Sequence, residues 1–379
     1  MTSSKPIDKD PPQQISQPHI PLTKPLLPPL TALIPLLEEI WRNGWVTNNG
    51  PLQRRLEATL TSQLGWKNVV STANGTLALQ LACRALGLEG EVITPSFTFP
   101  ATVQALIWNN LIPVFGDIEP EHLTLNPDAV TSLISPRTSC ILAVHTFGYA
   151  ANVRGLQQIA TQHGLALLYD AAPAVGVEVD GRSITDFGDA CAVSFHATKV
   201  MHTVEGGAVC TADKLLAERV RTLRNFGLRG SEPPFTHGTN AKLNELQAAV
   251  GLLVLKELST EIRKRQRIMM LYSVLLDAVP GVQLLRPSTH TKSNHAYAVA
   301  RFRLDGQPLA ATVQQHLTQF NIDSRRYFGP PYRMQGVLTP YPTPIADAAT
   351  EDVLCLPLWG ALPESAVQHI CGLIAEAMV

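Results

Sequence analysis

Lys199 sits in SFHATKVMHTVEGGAVCT, a loop reading between two short strands, with small and apolar residues around it. Lysines are mostly solvated. An apolar setting lowers the pKa of an amine, which suits a lysine that must attack a carbonyl carbon. A surface lysine in a loop is the plainer reading, and the local composition leans toward chemistry. Asp170 closes the apolar run LALLYD, placing a carboxylate at the tip of a strand. A ligand-holding carboxylate and a loop-capping aspartate fit that place equally well. Asn74-Gly75-Thr76 stands between a strand and a helix that starts at once. Free amides at a helix N-terminus, a glycine permitting close approach and a hydroxyl make a phosphate cradle. Alone, the tripeptide reads better as an ordinary cap by Asn74 or Thr76. Together the three describe a site for pyridoxal 5'-phosphate (PLP). That cofactor needs a phosphate cup, a carboxylate to keep its pyridine nitrogen protonated and a lysine for the Schiff base.

Such residues must be held at the ends of strands, and the pattern around them supplies strands. From about residue 68, short apolar runs (NVVST, EVITP, PVFGD, SCILAVH, LALLYD) alternate with helical stretches. This alternation predicts an α/β fold: a parallel or mostly parallel sheet covered by helices on both faces. Ligands of such sheets lie outside the carboxyl ends of the strands. After residue 244 the pattern changes to a helix of more than thirty residues, expected to bend or break. An antiparallel-looking strand (HAYAVARFRL) and two further helices follow. The division expected is an N-terminal arm over residues 1–30, a large domain over 31–255 and a small C-terminal α+β domain over 256–379. Eight prolines in the first 30 residues (Pro6, Pro11, Pro12, Pro18, Pro21, Pro25, Pro28 and Pro29) predict an extended arm or a disordered tail.

Composition removes several classes. Thirty Lys plus Arg against 31 Asp plus Glu give a net charge of −1, without the basic excess that would displace phosphate counterions from a nucleic acid. No apolar run approaches the ~18 residues of a membrane span. The polar start lacks the apolar core of a signal peptide. Six scattered cysteines without a CxxC pair suggest buried thiols in a reducing compartment, hence the cytoplasm, and no metal site.

NGTLALQLACRALGL, EVITPSFTFPAT, DAAPAVG, SFHATK with TVEGGA, RTLRNFG and NAKLNELQAAVGL resemble, in order and separation, the signature blocks of nucleotide-sugar aminotransferases. These are the DegT-like PLP enzymes of the aspartate-aminotransferase fold (fold type I). The resemblance runs from about residue 44 to the C-terminus. SRRYFGPPY (Ser324–Tyr332) and CLPLWGALPES resemble the C-terminal segments of members that act on dTDP-linked 4-keto-6-deoxyhexoses.

The resemblance implies a role for each matched residue. Lys199 is the Schiff-base lysine and proton carrier, and Asp170 pairs with the pyridinium. Gly75, Thr76 and Ser194 hold the phosphate, and Phe99 stacks on the ring. Asn240 reaches the phosphate of a neighbouring subunit, which implies a homodimer with shared sites. Arg325, Arg326 and Tyr327 are candidates for the sugar or its diphosphate, and His196 shapes the Lys199 loop. The implied reaction moves an amino group from glutamate to a nucleotide-linked keto sugar by a ping-pong route. One position departs from the pattern. After Asp170-Ala171-Ala172 the family usually carries Gln or His, in contact with the ring hydroxyl; here Pro173 has no polar side chain. Two rivals remain: a PLP-dependent sugar dehydratase, in which histidine replaces the lysine, and a PLP-binding regulator without turnover.

Overall fold

A computed structural model describes residues 18–230, 233–329 and 342–379. Pro6, Pro11 and Pro12, and the end of the SRRYFGPPY block at 330–332, lie outside the described residues. Two helices come first, α1 (Leu30–Asn43) and α2 (Pro51–Leu64). The alternating stretch then folds as β1 (Val70–Thr72), α3 (Gly75–Leu86), β2 (Glu91–Pro95), α4 (Pro100–Trp108) and β3 (Ile112–Gly116). Next come α5 (Pro127–Leu133), β4 (Thr138–Val144), α6 (Val153–His163) and β5 (Ala166–Asp170). A side hairpin, β6 (Glu178–Val179) and β7 (Arg182–Ser183), precedes β8 (Ala190–Ser194), β9 (Gly207–Cys210) and α7 (Lys214–Arg224).

Seven of these strands form one sheet in the order β1-β9-β8-β5-β4-β2-β3. Only β9 runs against its neighbours; the other pairs are parallel. Helices cover both faces, so neighbouring residues of one strand enter different cores. Ile141 and Ala143 of β4 join one cluster, while Cys140 and Leu142 join the other.

Helix α8 (Glu245–Leu276) runs through 32 residues as one helix, without a break. Val254, Leu255 and Leu258 on its first half belong to the sheet's core. Ile268, Met269, Tyr272 and Leu276 on its second half belong to a separate C-terminal core. The chain continues as β10 (Val282–Leu284), β11 (Thr291–Lys292), β12 (Ala298–Leu304), β13 (Gln307–Pro308), α9 (Ala310–Gln319), α10 (Pro344–Asp352), β14 (Val353–Leu356) and α11 (Glu364–Ala377). Of these, β10, β12, α9, β14 and α11 build that core, while β11 pairs with β6 and α10 joins a further cluster with Phe97 and Phe147. Strand β12, from the HAYAVARFRL segment, pairs antiparallel with β10 and β14. Residues 18–29 of the N-terminal arm form no helix or strand, apart from a bridge between Ile20 and Ile322 of the C-terminal part.

Candidate active site

The carboxyl ends of β1, β2, β4, β5 and β8 open onto one cleft of about 320 Å3. The first wall is the start of α3. Asn74 accepts a hydrogen bond from the Leu77 amide at 2.8 Å, so it caps the helix as its residue type suggests. The cap leaves the first amides, at Gly75 and Thr76, with no carbonyl one turn earlier to bond. A Cβ on Gly75 would stand 2.8 Å from Cβ of Ser194, and one on Gly207 would stand 2.7 Å from the Asn74 carbonyl carbon. Both glycines are therefore required for the start of α3 to lie against the ends of β8 and β9. Cap and cradle coexist.

Asp170 ends β5 and is 4% exposed. Thr102 Oγ1 donates to its Oδ2 at 2.7 Å, and the Ala172 amide donates to its Oδ1 at 3.0 Å. Thr98 shares a 2.7 Å hydroxyl contact with Thr102, one turn on, which extends this chain of hydroxyls to the cleft wall. Burial raises the Asp170 pKa, and the two hydrogen bonds and the Lys199 charge pull against that rise. Two neutral donors do not offset the burial of a carboxylate, so the site favours a cation beside it.

Lys199 lies in the loop between β8 and β9, and its Nζ donates to the Tyr297 hydroxyl at 3.2 Å. His196 is bonded within the loop, Nδ1 to the Thr198 hydroxyl at 2.8 Å, with Nε2 3.5 Å from Glu205. Its role here is to hold the loop. Pro173 lines the cleft, and its carbonyl accepts a 2.7 Å hydrogen bond from Asn294, a buried side chain that also binds the Val175 carbonyl. The loop after β4 is fixed by His145. Its Nδ1 accepts from the Ala151 amide at 3.1 Å, its ring stacks on Tyr169, and burial lowers its pKa to about 3.

The far wall is aromatic. Phe147 holds a φ of 57°, unusual for a bulky residue. The rings of Phe97, Tyr297, Tyr327 and Phe328 surround it at centroid distances of 5.3 to 6.2 Å. The Arg325 guanidinium lies 4.6 Å from the Tyr327 ring centroid, and both residues line the cleft.

Among the residues singled out in the sequence, Gly75, Thr76, Phe99, Asp170, Ser194, Lys199, Arg325 and Tyr327 all line this cleft. Arg326 does not; it lies 3.6 Å from Glu351. Asn240 is exposed outside the cleft of its own chain, where Oδ1 accepts from Lys242 Nζ at 2.6 Å. All six cysteines are buried and free. Among the described residues, no cluster of His, Cys, Asp and Glu could hold a metal ion.

The sequence profile of the DegT/DnrJ/EryC1/StrS aminotransferase family matches residues 31–375. The chain belongs to this family. A dTDP-4-amino-4,6-dideoxy-D-glucose transaminase of Shigella dysenteriae is 37% identical over 361 residues, 94% of this chain and 98% of that protein. A protein of the same description from Escherichia coli is 36% identical, covering 95% and 99% of the two chains. The crystal structure of DesI with its TDP-sugar product aligns with a TM-score of 0.90 at 36% identity, covering 97% of this chain and 95% of that one. The chain is thus an aminotransferase with the α/β fold expected from its strand-helix alternation.

This aminotransferase also has residues in contact with Lys199 and Asp170 that the sequence did not single out. Tyr297, which meets Lys199, lies 98 positions along the chain. Its only signal is an aromatic in an otherwise ordinary strand approach, HAYAV. Thr102 could have been found: it stands one helical turn after Thr98 in the block that carries Phe99.

Proposed function

We propose that this aminotransferase binds PLP in the cleft and moves an amino group from glutamate to a dTDP-linked 4-keto-6-deoxyhexose. The observation that carries the reading is the convergence of Lys199, buried Asp170 and the bare-backbone cradle at Gly75 on one cleft. The groups present fit the cofactor. Asp170 has room in its bonding for a cationic N–H, and the cradle offers amides at a helix start without a Cβ in the way. When bound, PLP supplies an electron sink that lets a proton leave the carbon beside the amine.

The chain supplies the rest. Lys199 would hold the cofactor through Nζ, and the same amine, when free, would carry the proton. Asp170 keeps the positive charge at the ring nitrogen. Gly75, Thr76 and Ser194 take the phosphate, and Phe99 packs on the ring face. Arg325 and Tyr327 face the sugar or its diphosphate, since a guanidinium fork matches phosphate oxygens. The likeness to dTDP-4-amino-4,6-dideoxy-D-glucose transaminases supports amination at the 4-position of a dTDP-linked sugar.

The reading includes a homodimer in which Asn240 reaches the phosphate in the partner's cleft. Leu30, Trp41, Trp45 and Val46, all 44% exposed or more, give the chain an apolar face near its N-terminal helices that a second copy would cover. Sedimentation at the mass of a single chain would contradict this. The cytoplasm is the compartment that six free buried thiols suit. Among the described residues no helix is long and apolar enough to cross a membrane.

The test is a panel of dTDP- and UDP-linked keto sugars, incubated with purified chain, PLP and glutamate and read by mass spectrometry. The expected result is a dTDP-linked 4-amino sugar with an equal amount of 2-oxoglutarate. Loss of water from the sugar without gain of an amine would instead favour a dehydratase. Lys199 at the position where dehydratases carry histidine speaks against that outcome.

A further inference from the structure

We propose that residues 18–29 form a strap tying the C-terminal core to the Lys199 loop, and that His202 is the positioning residue through which it acts. The inference rests on the role given to Lys199 above. The strap is fastened at its first end by backbone hydrogen bonds. The Ile20 amide donates to the Asn321 carbonyl at 3.1 Å, and the Asp323 amide donates to the Ile20 carbonyl at 2.9 Å. The Leu358 amide donates to the Leu22 carbonyl at 3.0 Å, and Lys24 Nζ lies 5.2 Å from the Trp359 ring centroid. Leu358 and Trp359 belong to the C-terminal core, and Ile20 packs against it. Pro21, Pro25, Pro28 and Pro29 then fix φ at four positions and restrict the segment's freedom, so that it transmits position with less slack.

The second end meets the loop that bears Lys199. The Leu26 carbonyl accepts a 2.9 Å hydrogen bond from His202 Nε2, while Leu26 packs against the sheet's core. His202 stands three residues after Lys199 and is fully buried. Its Nδ1 accepts from the Val204 amide at 3.3 Å, so the single ring proton is on Nε2, where Leu26 requires it. Burial lowers the pKa of His202 and keeps the ring neutral. Val204 needs the support, since this β-branched residue has a φ of 69°. The loop is closed by the Thr203 amide on the Phe195 carbonyl and the Phe195 amide on the Gly206 carbonyl. His202 therefore joins three things: the strap, the strained turn at Val204 and the loop that aims Lys199.

Two substitutions separate the bonds of His202. Asparagine can offer an acceptor to Val204 but is too short to reach Leu26, whereas glutamine can reach Leu26. The experiment uses full-length, PLP-loaded protein with glutamate as donor and measures kcat and KM of the first half-reaction. His202→Asn should lower kcat about tenfold, equivalent to about 1.4 kcal/mol in the transition state, with KM nearly unchanged. His202→Gln should stay within about twofold of wild type. Ile20→Pro, which removes the amide bonded to Asn321 at the far end of the strap, should match His202→Asn. A His202→Asn or Ile20→Pro protein with wild-type kcat would overturn the proposal, as would equal losses in the Asn and Gln variants. A wild-type chain that binds no PLP would instead overturn the functional reading.

Discussion

Replacing Lys199 with alanine is expected to lower amino transfer by roughly four orders of magnitude or more, the upper range for removing a positioned proton carrier. In the proposed function the lysine has two tasks in one side chain, holding the cofactor and moving the proton, and among the described residues no other lysine lines the cleft to assume either. His196 is close in sequence, but its ring is bonded to Thr198 and near Glu205, so it is committed to the loop. The measurement is the rate of 2-oxoglutarate formation from glutamate at saturating PLP. The phosphate contacts proposed at Gly75, Thr76 and Ser194 are untouched in the variant, so PLP should still bind without a covalent link. Turnover within tenfold of wild type would show that another group moves the proton.

The second large effect is at Asp170. Asparagine in its place keeps the shape: its Oδ1 can still accept from the Ala172 amide and its Nδ2 can donate to the Thr102 hydroxyl, but it removes the charge proposed to face the ring nitrogen. Turnover should fall about a thousandfold, roughly 4 kcal/mol of lost transition-state stabilisation. Cofactor content should stay near that of wild type, because the phosphate end is untouched. The two readouts together separate loss of charge from loss of folding. Near-normal turnover in Asp170→Asn would mean that some other group serves the ring nitrogen.

What could be read from the sequence depended on how local its cause was. Asp170, Ser194 and Lys199 each follow an apolar strand, and strand ends of an α/β sheet converge on one edge, so their meeting was readable in advance. Tyr297 and Asn294 were not readable, because their contacts with Lys199 and Pro173 cross about a hundred residues or more and depend on how the C-terminal part sits. Arg325 and Arg326 looked alike in sequence. In extended chain, neighbouring side chains point to opposite sides, and Arg325, bridged to Cys355, takes the cleft while Arg326 turns to Glu351. The break expected in α8 has no proline to cause it, and its one glycine, Gly251, is packed close to Thr203 and Leu56. The packing of the arm escaped notice because most of its anchors are backbone amides and carbonyls, which every sequence has in common.

The central claim is that Lys199 is the amine that holds PLP in this aminotransferase, and borohydride reduction followed by peptide mapping tests it most directly. The PLP-loaded protein should be yellow, lose that colour on reduction and carry one pyridoxyl group on the peptide containing SFHATK, at Lys199. A label on any other lysine, or no label on protein shown to contain PLP, would contradict the account.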